Sequence, residues 1–586
     1  MVSRQSPDQT EHLDASARAA WARIWSSLSP ESQFLAWMDW IRHLGLSPGK
    51  QEQLRQLAQR QWEQLFREWS QELAAAAQLP AHASVQTPSS AAVADRRFSD
   101  PAWDRWPFNL LRQTYQAQQQ WWQSATEGVA GVEPHHQKLV AFGAEQWLNM
   151  LSPSNFAWTN PLVWDRTLAE QGANFSRGLE NWQQDMQAQL AGEPPVGTED
   201  FQVGKDVAAT PGKVVLRNEL AELIQYAPSS KQVHPEPVLI VPAWIMKYYI
   251  LDLSAHNSLI KYLVDQGHTV FCVSWKNPQA QDHAFGMDDY IRLGWKASLD
   301  AINAIVPGQK IHATGYCLGG TLLAIAAAAM ARDGDERLAS LTFFAAQTDF
   351  SEPGDLSLFI DESQVSLLEA QMADEGYLRA NQMEVAFQLL RSADLVWAPL
   401  VNKYLLGERR PLNDLMAWNA DATRMPATMH SQYLRRMYLN NDLSQNRYPV
   451  EGRIVSLAHI NLPIFCVGTV SDHVAPWRSV YKLHYLVPAE ITFVLTTGGH
   501  NAGIVSEPGH PRRHYQIHTR AAGTAPVLVD EWQAQAASHS GSWWPAWSAW
   551  LKARSGAQTK KPPQMGAAKQ GYAPLGPAPG QYVLVK

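Results

Sequence analysis

The sequence predicts an α/β catalytic domain that carries an inserted cap region and is preceded by a mostly helical N-terminal domain. Three observations carry this. Before about residue 206 apolar residues recur at helical spacing among strong helix formers, and almost nothing reads as strand. From there on, short apolar runs alternate with helical segments, the pattern of an open parallel sheet. One interval, 345–462, lacks clear strands and is too long for an ordinary loop, so it reads as an inserted cap.

The helical part divides at residues 79–99, LPAHASVQTPSSAAVADRRFS, which are rich in Ala, Ser and Pro and have no periodic apolar face. Residues 1–78, with QEQLRQLAQRQWEQLFREWSQELAAAA, are expected to form a loosely attached helical arm beyond this linker. Residues 100–205, with WDRTLAEQGANFSRGLENWQQDMQAQLAG, are expected to form a helical N-terminal domain. The catalytic domain spans 206–553. Its candidate strands are 238–241, 269–273, 310–314, 340–344, 464–468 and 492–495, and the cap contains a helix-like SQVSLLEAQMADEGYL. The tail, 554–586, with KKPPQ and GPAPG, is expected to trail over the surface.

At 586 residues the chain has room for two to four domains. A net charge of -7, from 48 basic against 55 acidic residues, offers no broad field for a polyanion and argues against nucleic-acid binding. Three cysteines without CxxC spacing make no disulfide framework. The polar start MVSRQSPDQTEHLDAS lacks the apolar core of a signal peptide. The small-apolar run 322–331 falls short of the roughly 20 residues that span a bilayer. A cytoplasmic protein without a transmembrane segment is expected. Of 25 tryptophans, 14 precede residue 205. Helix packing is the preferred reading for most of them, and an apolar surface that meets a polymer or lipid-like phase is the other.

The chemistry centres on KIHATGYCLGGTLLAIAAAAMA: a strand, a Gly-rich turn and an Ala-rich helix, with Cys317 in the middle of Gly315-Tyr316-Cys317-Leu318-Gly319. This is a nucleophile elbow with Cys in the Ser position. The helix start behind it favours an anion, so Cys317 is expected to be more reactive than an average thiol. Cys272 and Cys466 lie in strand-like runs and read as inert buried residues. In a fold of the α/β-hydrolase type, acid and histidine follow the nucleophile in that order. Asp472, in GTVSDHVAPW, and His500, in TTGGHNAG, each stand just past a candidate strand. His473 competes with His500 as an auxiliary candidate, but side chains adjacent in sequence diverge. For the oxyanion the fold uses the amide after the nucleophile, here Leu318, and one from the loop after an early strand, here Trp244 or Ile245 in VPAWIMKYYILDL. There is no HExxH, no Cys/His cluster and no GxGxxG, so neither a metal nor a nicotinamide or flavin cofactor is expected.

From about Pro107 onward the sequence carries LSPSNFAWTNP, KYYILDL, HTVFCVSWKNP, GYCLGG, DLVWAPLVNKYLLG, AWNADATRMP, SDHVAPW, GGHNAGIV and GSWWPAWSAWL. In these motifs it resembles class I polyhydroxyalkanoate synthases, which polymerise 3-hydroxyacyl groups from coenzyme A thioesters into storage polyester. The resemblance implies that Cys317 is the acylated nucleophile and His500 its activating base. It also implies that Asp472 is the carboxylate that assists activation of the incoming 3-hydroxyl group. The expected substrates are short 3-hydroxyacyl-CoA thioesters such as 3-hydroxybutyryl-CoA. The expected partners are the growing polyester chain, the granule surface and a second copy in a homodimer. Met246 departs from the Asn that the family often has before the Lys of KYY, and the first 80 residues carry no part of the resemblance.

A cysteine that takes an acyl group from a thioester forms another thioester, which keeps the energy to acylate a hydroxyl. Cys in the elbow therefore favours transfer over hydrolysis, provided the cap keeps water away. Two other readings stand beside this one: a cysteine-dependent thioesterase or polyester hydrolase, and a non-catalytic granule-coating protein held to an apolar surface by its Trp-rich segments.

Overall fold

The computed structural model describes residues 28–78 and 95–586. Most of the expected linker, 79–94, and the first 27 residues of the expected arm lie outside the described residues. The chain divides into two compact units: Ser27–Val196 with Val385–Pro411, and Gly197–Glu384 with Leu412–Lys586.

The first unit is helical. Its helices include Pro30–Gly45, Pro48–Gln78, Phe108–Thr126, Pro134–Met150, Pro161–Ala169 and Ala173–Ala191. Several open with Pro in the first turn, where the missing N–H costs nothing, behind a capping side chain such as Ser29 or Asn160. The described part of residues 1–78 is no loose arm. The Trp40 indole donates to the Ala125 carbonyl at 2.9 Å, Gln61 donates to the Ala117 carbonyl at 3.1 Å, and the Trp121 indole reaches the Leu54 carbonyl at 3.3 Å. Residues 385–411, read from sequence as part of the cap, also belong to this unit. The Tyr404 hydroxyl and the Arg409 guanidinium both bond Asp185 at 2.8 Å, and Asn174 donates to the Leu405 carbonyl at 2.8 Å. The physical reason is polar pairing with helix Ala173–Ala191 across more than two hundred residues of sequence, which no local pattern announces.

Packing does not account for all the tryptophans of this unit. Trp40 and Trp103 are buried, but Trp62, Trp106, Trp147, Trp158, Trp164 and Trp182 are exposed. Among the described residues no helix is long and apolar enough to cross a membrane.

The second unit is built on an eleven-stranded sheet. Its strands are β1 (Gly212–Arg217), β2 (Ala221–Tyr226), β3 (Val238–Val241), β4 (Val270–Trp275), β5 (Ile311–Tyr316), β6 (Leu338–Phe344), β7 (Ile464–Thr469), β8 (Ile491–Thr496), β9 (His514–Arg520), β10 (Ala537–Ser540) and β11 (Gly576–Pro577). They run in the order β10-β9-β8-β7-β6-β5-β3-β4-β2-β1-β11. The six strands from β4 to β8 are parallel, and the strands on either side join antiparallel. These six are the strands expected from the sequence. Their side chains alternate between two apolar cores, with Leu239, Val241, Phe271 and Val273 on one face and Val238, Ile240, Val270 and Cys272 on the other. Chain order reverses around β3, so the loops after β3 and β5 open side by side at the carboxyl edge, where such sheets bind ligands.

The tail does run along the surface, but it is fastened there. Val233 bridges Lys560, β11 extends the sheet at β1, and Val583 is buried. Its anchors are two polar residues of β2: Gln225 exchanges hydrogen bonds with Gln564 and Gly566, and buried Glu222 accepts the amides of Gln581 and Tyr582.

Candidate active site

Cys317 stands between β5 and the helix Leu318–Asp333 with φ 53° and ψ −124°, a strained backbone that a side chain adopts only when its surroundings impose it. They do so here through hydrogen bonds and glycines. The Cys317 amide donates to the Phe344 carbonyl on β6 at 2.9 Å, and its carbonyl accepts from Gly320 and Thr321. A Cβ on Gly315 would lie 2.4 Å from the α-carbon of Gly320, and one on Gly319 would lie 2.1 Å from the carbonyl oxygen of Val241. The glycines of the motif are thus required by close backbone approach. Gly319 also sets the elbow directly against the loop after β3.

Asp472 and His500 follow β7 and β8. Nδ1 of His500 lies 2.8 Å from Oδ2 of Asp472, with their side chains 10 % and 0 % exposed. That carboxylate accepts three further hydrogen bonds: from Thr469 Oγ1 at 3.0 Å and from the amides of Val474 and Ala475 at 2.9 and 2.8 Å. Burial pushes Asp472 up, but His500 and the two amides outweigh it and hold the carboxyl below its usual range. For His500 burial acts downward. The Asp472 charge and then the Cys317 sulfur overcome it and hold the imidazole well above its ordinary value. Nε2 of His500 is buried, and the thiol of Cys317 is the neighbour that acts on the ring besides Asp472, by charge and by hydrogen bonding. The structure thus brings Cys317, Asp472 and His500 together. His473 is half-buried, and its carbonyl accepts from Asp355; the carboxylate of Asp472 is taken by His500.

Leu318 heads the helix, in the turn whose amides lack intrahelical partners. Trp244 and Ile245 stand in the loop that Gly319 abuts. The Trp244 carbonyl accepts from Thr423, and Met246 makes a backbone bridge with Ala422, a contact that does not depend on its side chain. Burial raises the thiols of Cys272 and Cys466. Among the described residues no group of three or more His, Cys, Asp or Glu is placed to hold a metal ion.

Several neighbours escaped the sequence reading. The Tyr316 hydroxyl donates to Asn501 at 2.5 Å while its ring lies 5.6 Å from the imidazole of His500. On the cap side Tyr433 and Tyr438 lie with ring centroids 5.5 Å apart at a π-helical turn, Leu434–Leu439. Both phenols are raised by burial and, further, by the nearby Cys317 sulfur. The indoles of Trp543 and Trp544 donate to the carbonyls of Gly503 and Ile504, just past His500. Only the last had a signal, the paired tryptophans of GSWWPAW.

An elbow cysteine and a carboxylate-oriented histidine past the ends of these parallel strands define a member of the α/β-hydrolase fold. The family described as "alpha/beta hydrolase fold" matches residues 236–507. The family "Poly-beta-hydroxybutyrate polymerase (PhaC) N-terminus" matches 94–263, and "Poly-beta-hydroxybutyrate polymerase N terminal" matches 8–50. This last match lies in the first 80 residues, which the sequence motifs had left without a relative. The chain is 41% identical over 497 residues to the poly(3-hydroxyalkanoate) polymerase of Methylorubrum extorquens, covering 84% of this chain and 81% of the relative. It is 38% identical over 528 residues to a poly(3-hydroxyalkanoate) polymerase subunit of Rhizobium meliloti, covering 89% and 84%. Among solved structures it is similar to a monoacylglycerol lipase of Paleococcus ferrophilus, at 10% identity and TM-score 0.29 over 49% of this chain and 97% of that one. The chain belongs to the poly(3-hydroxyalkanoate) polymerase family and is an enzyme of that class.

Proposed function

We propose that this enzyme is a class I synthase that polymerises (R)-3-hydroxyacyl-CoA through an acyl-Cys317 intermediate. The observation that carries the reading is the strained Cys317 beside a buried His500 whose other nitrogen is held by Asp472. In the first step Sγ of Cys317 attacks the thioester carbonyl while Nε2 of His500 takes the thiol proton. The bond to the coenzyme A sulfur breaks, and the proton passes to that sulfur. In the second, the hydroxyl of another 3-hydroxyacyl group gives its proton to His500 and its oxygen attacks the acyl-Cys317 carbonyl. The C–S bond breaks and the thiol takes the proton back. The exchange of one thioester for another is nearly isoenergetic, and the ester then formed makes the second step downhill.

The amides of Leu318 and of Trp244 or Ile245 stabilise the oxyanion. Asp472 works through His500: with four hydrogen bonds accepted it has no acceptor position left for an incoming hydroxyl. No cofactor enters either step, and coenzyme A is part of the substrate. Tyr433 and Tyr438, which pack against the same apolar cluster as Cys317, form an apolar wall of the cap that helps to keep water from the intermediate. Loosening this wall should raise hydrolysis relative to polymer, and an unchanged ratio would speak against closure by the cap. The exposed tryptophans of the helical unit suit contact with a polyester granule in the cytoplasm. Short 3-hydroxyacyl groups and action as a homodimer complete the reading.

The test compares the protein with Cys317→Ala on 3-hydroxybutyryl-CoA, following thiol release and insoluble product. Polymer from the first and neither signal from the second supports the synthase. Thiol release with only soluble hydroxy acid would make it a hydrolase, and no release by either would leave a granule-coating protein.

A further inference from the structure

The loop after β3, residues 242–247, ends at Lys247, whose side chain is buried although nothing in the proposed chemistry uses it. Its ammonium donates to the main-chain carbonyl of Val585 at 2.6 Å. The same carbonyl accepts from Nδ2 of Asn277, just past β4, at 3.3 Å. The side-chain oxygen of Asn277 in turn takes the amide of Arg424 at 2.9 Å, and Nη1 of Arg424 reaches the carbonyl of Lys586 at 3.3 Å. The segment 418–424 also holds the loop directly, through Trp418 to the Lys247 carbonyl and Thr423 to the Trp244 carbonyl, both at 2.8 Å. One carbonyl near the end of the tail therefore joins the loop after β3 to Asn277, whose side chain also holds the cap segment at Arg424.

We propose that Lys247 is a positioning residue that, through the Val585 carbonyl and Asn277, reinforces the clasp of residues 242–247 to the cap segment 418–424 and so fixes the oxyanion donor of that loop. This rests on the function proposed above. The physical argument is that a buried ammonium must be hydrogen-bonded. Burial, opposed by the charge of Asp421, lowers Lys247 to about 8. Without the Val585 carbonyl the ammonium has to move toward water, and the loop that carries it moves as well. The tail is set in register for this by Glu222, which accepts the amides of Gln581 and Tyr582 at 2.9 and 3.0 Å.

The experiment uses Lys247→Met, a chain ending at Leu584, and both changes together, with 3-hydroxybutyryl-CoA as substrate. A displaced oxyanion donor should lower kcat by about ten- to a hundredfold while KM stays within about twofold. Because the two changes break one clasp, the double variant should lose no more than the worse single one. Amide hydrogen exchange across residues 242–247 should rise about tenfold in the shortened chain. A shortened chain with unaltered kcat and exchange would overturn the clasp, as would losses that multiply. If Lys247→Met does not fold, the shortened chain decides by itself. If the unaltered protein releases no coenzyme A, the functional reading falls, and exchange alone then judges the clasp.

Discussion

A Cβ on Gly319 would meet the carbonyl oxygen of Val241 at 2.1 Å and that of Pro242 at 2.6 Å, so the first turn behind the nucleophile and the loop after β3 touch backbone to backbone. Gly319→Ala must push them apart, and with them the two amides proposed for the oxyanion. The expected result is a loss of about a hundredfold in the rate of coenzyme A release, the order of effect that a misplacement of 1 Å produces. A rate within about twofold of the unaltered protein would show that this contact does not set the site.

Asp472→Asn keeps the shape of the carboxylate and removes the charge that raises His500. The imidazole then gives up its proton at lower pH, so the acid limb of the pH–rate profile should shift downward. The maximal rate should fall by about 10⁴-fold, as when the orienting carboxylate of a serine triad is made an amide. Rates between pH 5 and 9 test this, and an acid limb that stays in place would refute it.

The loop of His500 is hung from the helix Trp544–Lys552 and the residue before it. Trp543→Phe removes the donor to the Gly503 carbonyl and leaves a buried acceptor unpaired, at a cost of about 1–3 kcal/mol. Trp158→Phe, at a side chain 70% exposed, should change stability by less than about 0.5 kcal/mol. Denaturant unfolding of the two variants side by side checks the contrast.

His268, His312, His430 and His484 are buried, and burial lowers them to about 3, 4, 4 and 3. An unfolded chain protonates its histidines near pH 6.5. Between that pH and about 4 the unfolded state therefore binds more protons than the folded one, and stability drops as pH falls. The loss can reach about 1.4 kcal/mol per pH unit for each histidine. Denaturation midpoints at pH 7, 6 and 5 should decline in that order, and His268→Gln should make the decline shallower. A midpoint that does not move would contradict the assignment.

The six parallel strands were legible because each is a short apolar run buried on both faces. The five antiparallel strands were not. β9, HYQIHTR, is polar along most of its length, and β2, AELIQY, hides Glu222 and Gln225 in a wholly buried strand. Those two residues are tolerated because partners meet them in the fold: Arg217 on β1 and the tail amides of Gln581 and Tyr582 for Glu222, and Gln564 and Gly566 of the tail for Gln225, so β2 and the course of the tail are legible only together. The same holds for residues 385–411, which read as part of the cap because their attachment to Asp185 leaves no trace in the local pattern.

The sequence by itself determined the elbow at Cys317, the order of Asp472 and His500, and the parallel strands beneath them, because each depends on neighbours a few residues away. The tertiary structure alone decided that the Asp472 carboxylate is fully occupied, that Tyr433 and Tyr438 share an apolar cluster with Cys317, and that Lys247 ends on a carbonyl 338 residues further along. The reason is that a buried polar atom must find a partner wherever the folded chain offers one, and sequence distance places no limit on where that is.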